Sequence, residues 1–451
     1  MRTVIAGGGI SGLSLAYFLK AGGIEATVLE AAPKPGGKIR TEKAQGFLCE
    51  WGVNGFLDNK PKTLELAGTL SLKVLRSSDA ARKRFVLKGG RLRKIPDGPG
   101  EFLTSQVLSP VGKLRLLLEP FIKPNPNDET LAGFAKRRLG KEAFENMIDP
   151  MASGVYAGDP EKMSVESCFP RIKAVEKKYG SLIKGLIAIG KEAKKTGKGK
   201  VGPGPGGTLT SFSGGMEEII IALRAALGDN VIVNSRAVSL DKTGDEYRIQ
   251  LADGSSVEAE KIVLACPAYE TAGILRGMDK GLSSLLSGIE YPPVSVICLG
   301  FARQKISCPV DSFGFLVPFK ERKNILGVLF DSSIFPERAP EGQVLLRIMA
   351  GGARMGNIAM LDDEKLLDTV MGDLGAILGL KATPDFVRIF RHEKAIPQYA
   401  MGHLDRLSEI DSITGGHRGL YLAGNAYRGI ALNDCIENSA QLAGRIIKES
   451  I

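Results

Sequence analysis

The sequence TVIAGGGISG, residues 3–12, specifies how the chain begins to fold. Its first four residues are an apolar run of the kind that forms a strand buried on both faces. Glycines spaced as Gly7-x-Gly9-x-x-Gly12 then lead into an apolar helix that ends at Gly22-Gly23, and a second apolar run follows at residues 26–30. The pattern predicts a βαβ unit at the start of a doubly wound parallel sheet.

The glycine spacing has a mechanical meaning at the turn between strand and helix. Gly7 permits a tight turn, Gly9 lets the backbone approach a pyrophosphate, and Gly12 lets helix and strand pack closely. The helix N-terminus adds free N–H groups and a positive dipole end. Glu30, at the end of the second apolar run, is placed to bind ribose hydroxyls. The sequence therefore predicts a dinucleotide site made by Gly7, Gly8, Gly9, Ile10, Ser11, Gly12, Glu30 and Ala31.

Composition excludes several other classes of protein. The 451 residues, 43% of them hydrophobic, are enough for two or three domains with their own cores. The six cysteines include no CxxC pair and there are three histidines, so neither a disulfide framework nor a metal site is predicted. No apolar run reaches the roughly 20 residues of a membrane span, and Met1 leads straight into a strand without a signal-peptide pattern. We therefore expect a cytoplasmic protein.

The net charge of +10 favours an anionic partner: nucleic acid, an acidic membrane surface or a carboxylate-bearing small molecule. Nucleic acid is set aside because no helix-turn-helix, zinc-finger or aromatic RNA-binding pattern is present. Residues 191–200 are rich in lysine and precede the Gly/Pro-rich residues 202–207, which predicts an exposed flexible loop. A second interpretation stays open, in which these lysines and the neighbouring apolar helix contact anionic phospholipid.

Two stretches after the βαβ unit resemble one superfamily of flavoproteins. Pro35-Gly-Gly-Lys-Ile-Arg-Thr41 places a glycine doublet and two basic residues soon after the ribose-binding strand, and Glu50-Trp-Gly-Val-Asn-Gly55 follows. Both are similar to cofactor loops of the amine oxidases, phytoene desaturases and protoporphyrinogen oxidases, although Val53 stands where proline is usual. The resemblance implies FAD as the cofactor, with contacts from Gly37, Lys38, Gly52, Val53, Asn54 and Gly55.

The end of the chain resembles the same superfamily. Residues 419–425 are typical of a strand and turn, and residues 429–436 lead into the last helix. A helix N-terminus aimed at a flavin stabilises negative charge on the reduced ring. The resemblance implies further cofactor contacts from the backbone of Val238 and from Gly424, Ile430, Ala431 and Leu432.

Six segments resemble protoporphyrinogen oxidases in the same order, so the resemblance covers nearly the whole chain. They are residues 84–87, 152–159, 313–318, 349–352, 396–399 and 433–436. A porphyrinogen is an apolar macrocycle that carries propionate groups, so its pocket needs apolar faces and at least one cation.

The implied substrate pocket combines one arginine with apolar residues. Arg84 matches the family's propionate-binding arginine, whose planar fork suits a carboxylate. Phe313 and Leu316 would clamp a pyrrole, Met349 would line the ring pocket, and Gly154 would bring backbone close to the substrate. Without the resemblance, the three apolar residues would be interpreted as core residues and Arg84 as a solvated charge.

The resemblance implies oxidation of protoporphyrinogen IX to protoporphyrin IX in haem biosynthesis. Six electrons would be removed, and O2 or another acceptor would reoxidise the flavin, O2 giving H2O2. No general base is predicted, because the sequence context indicates this role for none of the candidates, which are Asp159, His392, His403 and His417. Positioning over the flavin is expected to provide most of the catalysis. A haem-pathway enzyme that takes up the product is an implied partner, and nothing in the sequence indicates an oligomeric state.

Three other functions stay open. Coproporphyrinogen III has four propionates, so its oxidation would favour a pocket with more cations than Arg84. A flavin oxidase for an amine or a carotenoid is less favoured, since residues 395–399 contain no tryptophan. A non-catalytic binding protein on the same fold is disfavoured by the intact glycines at both ends.

The expected fold class is α/β with α+β, in three domains. A Rossmann-type FAD-binding domain is expected from residues 1–70, 205–280 and 395–451. Residues 71–96 and 281–394 are expected to form a mixed-sheet substrate domain, in which the apolar runs of residues 291–351 predict antiparallel strands. Residues 97–204 are expected to form a helical insertion, which under the phospholipid interpretation would lie on the inner face of the cell membrane.

Overall fold

A computed structural model of the chain describes residues 2–195 and 206–450. Within these ranges the strands are β1 (Thr3–Ala6), β2 (Ala26–Leu29), β3 (Thr41–Ala44), β4 (Phe47–Glu50), β5 (Phe56–Leu57), β6 (Val74–Arg76), β7 (Arg84–Lys88), β8 (Arg91–Lys94), β9 (Leu209–Phe212), β10 (Val231–Ile232), β11 (Ala237–Thr243), β12 (Glu246–Leu251), β13 (Ser256–Ala259), β14 (Lys261–Leu264), β15 (Val294–Ala302), β16 (Gly314–Leu316), β17 (Ile325–Phe330), β18 (Gln343–Gly351), β19 (Phe386–His392) and β20 (Leu420–Leu422).

The α-helices of the same ranges are α1 (Ile10–Ala21), α2 (Pro61–Thr69), α3 (Pro99–Thr104), α4 (Pro110–Leu117), α5 (Leu131–Arg138), α6 (Lys141–Ala143), α7 (Asp149–Tyr156), α8 (Val165–Cys168), α9 (Pro170–Tyr179), α10 (Leu182–Lys195), α11 (Glu217–Leu227), α12 (Ala268–Leu275), α13 (Lys280–Ser287), α14 (Asp331–Ile334), α15 (Gly356–Ala359), α16 (Asp363–Leu378), α17 (His403–Gly416) and α18 (Leu432–Lys448). The predicted Gly/Pro-rich loop and the end of the lysine-rich stretch, residues 196–205, lie outside the described residues.

The first sheet is parallel and has the strand order β10-β2-β1-β14-β20, so both ends of the chain contribute to it. All four residues of β1 are buried, because the strand lies between two neighbours and under helices on both faces. Helices α1, α11 and α18 pack on one face, and α12, α13 and α17 supply the core on the other. The predicted doubly wound sheet is therefore confirmed.

The second large sheet has seven strands in the order β19-β15-β18-β17-β16-β7-β8. The strands from residues 291–351 pair antiparallel, as expected, whereas β7 joins β16 in parallel. A parallel pair needs a long crossover, and the helices of residues 99–195 lie within the one that separates β7 from β16. The sheet is thus mixed, and α16 covers one of its faces. Its other face, on the side of Met349, is called the inner face below.

The helical layer, residues 99–195, is held by buried charges as well as by apolar packing. The Arg138 side chain lies 3.0 Å from Glu119 and 2.7 Å from Glu176, and Lys173 lies 3.0 Å from Glu176, all with fully buried side chains. Buried ions are tolerated only when they are paired in this way. No helix in the described ranges is both long and apolar enough to cross a bilayer. The exact domain boundaries stay a prediction.

Candidate active site

The turn after β1 requires glycine because backbone groups meet there. The Gly7 N–H donates to the Leu29 carbonyl at 2.8 Å, and the Gly36 N–H donates to the Gly8 carbonyl at 2.8 Å. Gly7 has φ +115°, which other residues rarely adopt, and a Cβ atom on Gly12 would lie 1.9 Å from the Gly7 carbonyl oxygen. Strand end and helix start are therefore in direct contact.

Gly9 differs from these glycines because no atom lies within 4 Å of the position that its Cβ would take. It precedes α1, and no side chain caps that helix. The unpaired N–H groups of the first turn can therefore serve an anionic group. Nearby, the Glu30 carboxylate accepts the N–H groups of Gly8 and Ala32, each at 2.8 Å. These bonds fix the carboxylate and leave lone pairs for ribose hydroxyls.

Val238 lies near the start of β11, and its side chain is exposed. The Ser235 N–H donates to the Glu30 carbonyl at 2.8 Å, which brings the start of β11 to the end of β2. Pairing between β11 and β12 passes from Ala237 to Ser239 and skips Val238. Such a bulge leaves the backbone groups of the skipped residue without a ladder partner. The predicted backbone contact of Val238 with adenine fits this geometry and stays a prediction.

The last helix packs parallel to the first one. The Ser439 hydroxyl on α18 donates to the Ser11 carbonyl at the start of α1 at 3.0 Å, and a Cβ atom on Gly22, just after α1, would lie 2.3 Å from Ile447 near the end of α18. Ile430, Ala431 and Leu432 at the start of α18 therefore lie at the same end of the structure as the glycine turn. The Leu432 side chain is buried in the core, which leaves its backbone for a ligand.

Two glycines keep space free around the cleft that lies between the glycine turn and the start of α18. Gly424 has φ +124°, and a Cβ atom there would have only the Cys266 carbonyl oxygen within 4 Å, at 3.9 Å. Gly37 faces Gly9, since its Cβ would lie 3.7 Å from the Gly9 Cα.

The Lys38 side chain lies between the glycine turn and the substrate sheet. Its ammonium group donates to the Ala395 carbonyl and lies 5.2 Å from the centre of the Tyr291 ring. Burial lowers the pKa of Lys38 to about 8. The lysine is thus close to the cleft but already has a backbone acceptor.

The loop from Trp51 to Asn54 is held by three side chains. His392 and Arg347 come from the seven-stranded sheet, and Asp331 comes from α14, the helix that follows β17. His392 Nε2 lies 2.9 Å from the Trp51 carbonyl and must donate to it, since a carbonyl only accepts. Arg347 donates to the Gly52 carbonyl at 2.9 Å. The Asn54 amide donates to Asp331 at 3.2 Å, and Asp331 forms an ion pair with Arg347 at 3.0 Å.

Sequence reasoning missed these three partners of the loop. One signal was available: Arg347 interrupts the apolar run of residues 344–349, and a charge inside such a strand is costly unless it is paired. His392 and Asp331 follow apolar strands and carried no comparable signal. A further buried ion pair, Glu50 with Arg338 at 3.0 Å, lies at the start of the loop.

A row across the inner face brings two apolar side chains together around a glycine, and a Leu316 methyl carbon lies 3.2 Å from the position that a Cβ of Gly327 would take. Leu316 pairs with Gly327, and Gly327 pairs with Met349, so all three residues face the same side of the sheet. Gly327 has no side chain, and Leu316 and Met349 are both partly exposed. Gly154 of α7 packs on the row, because its Cβ would lie 2.4 Å from a methyl carbon of Leu316. Three of the five predicted substrate contacts, Gly154, Leu316 and Met349, are thus neighbours or near neighbours here. Phe313 is the fourth, three residues before Leu316.

Arg84 and Phe313 lie beside this row, because Arg84 pairs with Gly314, two residues along the strand from Leu316. The Phe313 N–H donates to the Lys83 carbonyl at 2.8 Å, and the guanidinium of Arg84 lies 5.1 Å from the centre of the Phe313 ring. Arg84 is exposed and has no acidic partner within 4 Å among the described residues, whereas Lys38 and Arg347 already have acceptors. The two predicted residues are therefore in contact, with a free cation at the edge of an apolar surface.

The groups around the cleft fit FAD. The N-terminus of α1 and the space at Gly9 suit a pyrophosphate, the Glu30 carboxylate suits a ribose, and the start of α18 suits the flavin ring. The Asn54 amide oxygen is buried without a partner in the described residues. The predicted cofactor contacts as a set stay a prediction. Fold and site together define an FAD-dependent oxidoreductase.

The chain belongs to the family of flavin containing amine oxidoreductases, whose family model matches residues 10–447. It is 35% identical to the chloroplastic protoporphyrinogen oxidase of Oryza sativa subsp. japonica, over 98% of this chain and 87% of the rice protein. It is 29% identical to the coproporphyrinogen III oxidase of Bacillus subtilis, over 97% of this chain and 96% of that protein.

A solved structure extends the similarity to three dimensions. The crystal structure of a protein from Exiguobacterium sp. 255-15, provisionally named a protoporphyrinogen oxidase, is 26% identical and superposes with a TM-score of 0.86 over 99% of both chains. The predicted fold class, the FAD cofactor and the oxidase class are therefore confirmed.

Proposed function

We propose that this FAD-dependent oxidase converts protoporphyrinogen IX to protoporphyrin IX in haem biosynthesis. The observation that carries the proposal is the row Leu316, Gly327 and Met349, an apolar and partly exposed surface, next to the free cation of Arg84. A flat macrocycle with propionates at one edge needs both features. The relatives named above support the same substrate class.

In this proposal the residues of the chain bind and orient the substrate. Arg84 pairs with a propionate, and the Phe313 ring packs beneath the guanidinium and against a pyrrole. Leu316 and Met349 hold the macrocycle on either side of Gly327 and exclude water from the reacting carbon. Gly154 keeps Leu316 at its present depth, since a side chain on α7 would displace it.

FAD, when bound, supplies the ring that accepts hydride. In each round a bridging carbon of the macrocycle loses a hydride and the macrocycle loses a proton, and one O2 accepts both to give H2O2. Two of the three protons leave pyrrole nitrogens and one leaves the fourth bridging carbon, since a porphyrin keeps two N–H groups and four CH bridges. Three rounds remove six electrons and six hydrogens, so one porphyrinogen and three O2 give one porphyrin and three H2O2. No side chain of the site is assigned as the base, and the rate enhancement is attributed to positioning.

The experiment is an aerobic assay of the purified holoenzyme with protoporphyrinogen IX and, separately, with coproporphyrinogen III. Porphyrin fluorescence is followed against a blank without protein. We expect a higher kcat/KM for protoporphyrinogen IX. Activity on neither substrate, from protein that carries FAD, would contradict the proposal and leave the oxidase class in place.

Coproporphyrinogen III is the second candidate substrate. It is favoured by the similarity to the Bacillus subtilis enzyme, which covers 96% of that protein. It is disfavoured by the small number of unpaired cations near the inner face. Four propionates need several cations, but of these three only Arg84 is free, whereas Lys38 and Arg347 already have acceptors. A preference for the substrate with four propionates in the same assay would replace the main assignment with this one.

We further propose that the helical layer binds the inner face of the cell membrane. Six large apolar side chains between residues 103 and 121 are exposed, three of them at 70% for Leu103, 76% for Val111 and 81% for Phe121. Lys113 lies among them and donates to the Leu103 carbonyl. Apolar groups that enter the headgroup region beside lysines are typical of peripheral attachment to anionic lipid. There the enzyme would pass its apolar product to the next haem-pathway enzyme.

Sedimentation with vesicles tests the membrane contact. The holoenzyme is expected to bind phosphatidylglycerol vesicles more strongly than phosphatidylcholine vesicles, and Phe121→Ser with Val111→Ser is expected to lower that binding roughly ten-fold. Ile221→Ser, at an exposed position on α11, is the matched control. Equal binding by the double variant and the control would contradict the contact.

A further inference from the structure

The loop that carries Gly52 and Asn54 belongs to the cofactor side of the cleft, but the side chains that hold it come from the substrate side. His392 ends β19, Arg347 lies within β18, and Asp331 follows β17 directly. These three strands belong to the sheet that also carries Met349. The loop therefore has three hydrogen-bonding partners, and each comes from a different strand of the proposed substrate sheet or from the residue directly after it.

The chemistry of Asp331 determines which way the Asn54 amide is turned. A carboxylate can only accept, so the NH2 group of Asn54 faces Asp331 and its oxygen faces away. That oxygen is buried and has no partner among the described residues, while the residue itself is 9% exposed. A buried acceptor of this kind is costly unless a bound molecule supplies a donor.

We propose that Asp331 and Arg347 are positioning residues that keep the Asn54 amide oxygen and the Gly52 carbonyl in place for N–H and O–H donors of the bound cofactor and substrate. Arg347 acts through two contacts, the Gly52 carbonyl and the Asp331 carboxylate. Asp331 acts through the Asn54 amide. Met349 lies two residues beyond Arg347 on the same strand, so both side chains face the same side of the sheet and the support of the loop adjoins the proposed substrate surface.

Two variants separate positioning from general stability. Asp331→Asn keeps the shape but supplies both a donor and an acceptor, which allows the Asn54 amide to turn over. Arg347→Lys keeps the charge but cannot bind the Gly52 carbonyl and Asp331 together, since it lacks the planar fork. Glu119→Gln is the matched control, because Glu119 and Arg138 also form a buried ion pair at 3.0 Å, within the helical layer.

The first readout does not depend on turnover. Apoprotein is titrated with FAD while the fluorescence of Trp51, the only tryptophan of the chain, is followed. We expect the dissociation constant of FAD to rise roughly ten-fold in Asp331→Asn and Arg347→Lys, with a shifted visible absorption spectrum of the bound flavin. Glu119→Gln is expected to lower the Tm but to leave both the FAD constant and the spectrum as in the wild type.

The second readout rests on the proposed function. With the preferred porphyrinogen, kcat is expected to fall roughly ten- to a hundred-fold in the two site variants, because a small misplacement of contact groups is costly at the reacting centre. The inference is overturned if both variants match Glu119→Gln in FAD affinity and flavin spectrum. Should the wild type oxidise neither porphyrinogen, the proposed function fails, and the FAD titration still decides the role of Asp331 and Arg347.

Discussion

The glycine turn and the inner face meet at one cleft, but they are constructed differently. Residues 7–12 act through backbone, and the contact that requires glycine at position 12 is made to Gly7 within the same short stretch. The inner face acts through side chains of strands that lie far apart in the sequence, such as Arg84, Leu316 and Met349. An added methyl at Gly9 or Gly12 should therefore strongly weaken or abolish FAD binding, whereas the inner face should tolerate changes to its side chains and alter only its affinity for the substrate.

The largest effect is expected for Gly12→Ala. The added methyl would lie 1.9 Å from the Gly7 carbonyl oxygen, and neither backbone segment can move without separating α1 from β1. We expect a loss of at least about 3 kcal/mol in the free energy of unfolding of the apoprotein, measured in urea, and no retained FAD. Gly444→Ala is the control, since a methyl on that helical glycine meets nothing within 4 Å. Wild-type stability of Gly12→Ala would show that the turn has more room than these contacts allow.

Gly9→Ala sharpens the same comparison, because its methyl meets no protein atom. The apoprotein is expected to unfold within about 1 kcal/mol of the wild type, as for other exchanges at an N-cap. FAD affinity is expected to fall roughly ten- to a hundred-fold, because the methyl occupies space that the pyrophosphate needs. Retention of wild-type FAD affinity, measured by the Trp51 titration, would place the pyrophosphate elsewhere.

The same difference explains what could be predicted from the sequence. The βαβ unit was predictable because apolar runs and glycine spacing are local, and α1 and β2 lie where those patterns place them. The cofactor contacts of residues 7–12, Glu30 and Ala31 came from the same local pattern, whereas those from Gly37 onward, and Arg84, came from resemblance to known proteins. That Leu316 and Met349 flank Gly327 depends on the register of three strands, and the support by Asp331 and His392 depends on where those strands end. Register is set by packing of the whole sheet, so no local pattern revealed it.

Arg84→Ala is expected to weaken substrate binding without affecting the fold, because Arg84 is exposed and has no described acidic partner. Loss of one charge-assisted contact to a propionate should raise the KM for protoporphyrinogen IX about ten-fold at unchanged kcat. Arg82→Ala is the control, as Arg82 is also exposed but pairs with Asp79 at 3.1 Å. An equal effect of the two variants would indicate general attraction of an anion, with no specific contact at Arg84.

Gly154→Ala tests the inner face by addition of a methyl. Its Cβ would lie 2.4 Å from the end of the Leu316 side chain, which is flexible enough to move into the cleft. We therefore expect an intact fold and a KM that rises about three-fold, well below the effect at Gly12. Leu316→Ala in the same protein removes the clash, so the double variant should show a smaller combined effect than the sum of the two. Strict additivity would contradict the contact between Gly154 and Leu316.

The smallest effect concerns Lys38, the lysine that lies between the two regions. Burial lowers its pKa to about 8, so the free protein loses this positive charge as the pH rises through that value. Anionic FAD favours the protonated amine, so binding above pH 8 must take up a proton and becomes weaker. We expect the FAD dissociation constant to rise roughly three-fold from pH 7 to pH 9. Lys38→Met should bind FAD about as weakly at pH 7 as the wild type does at pH 9, without the pH step, whereas Lys43→Met on the exposed edge should keep the step. If Lys38→Met retained the step, the titrating group would be another residue, and Lys38 would serve only to hold the Ala395 carbonyl.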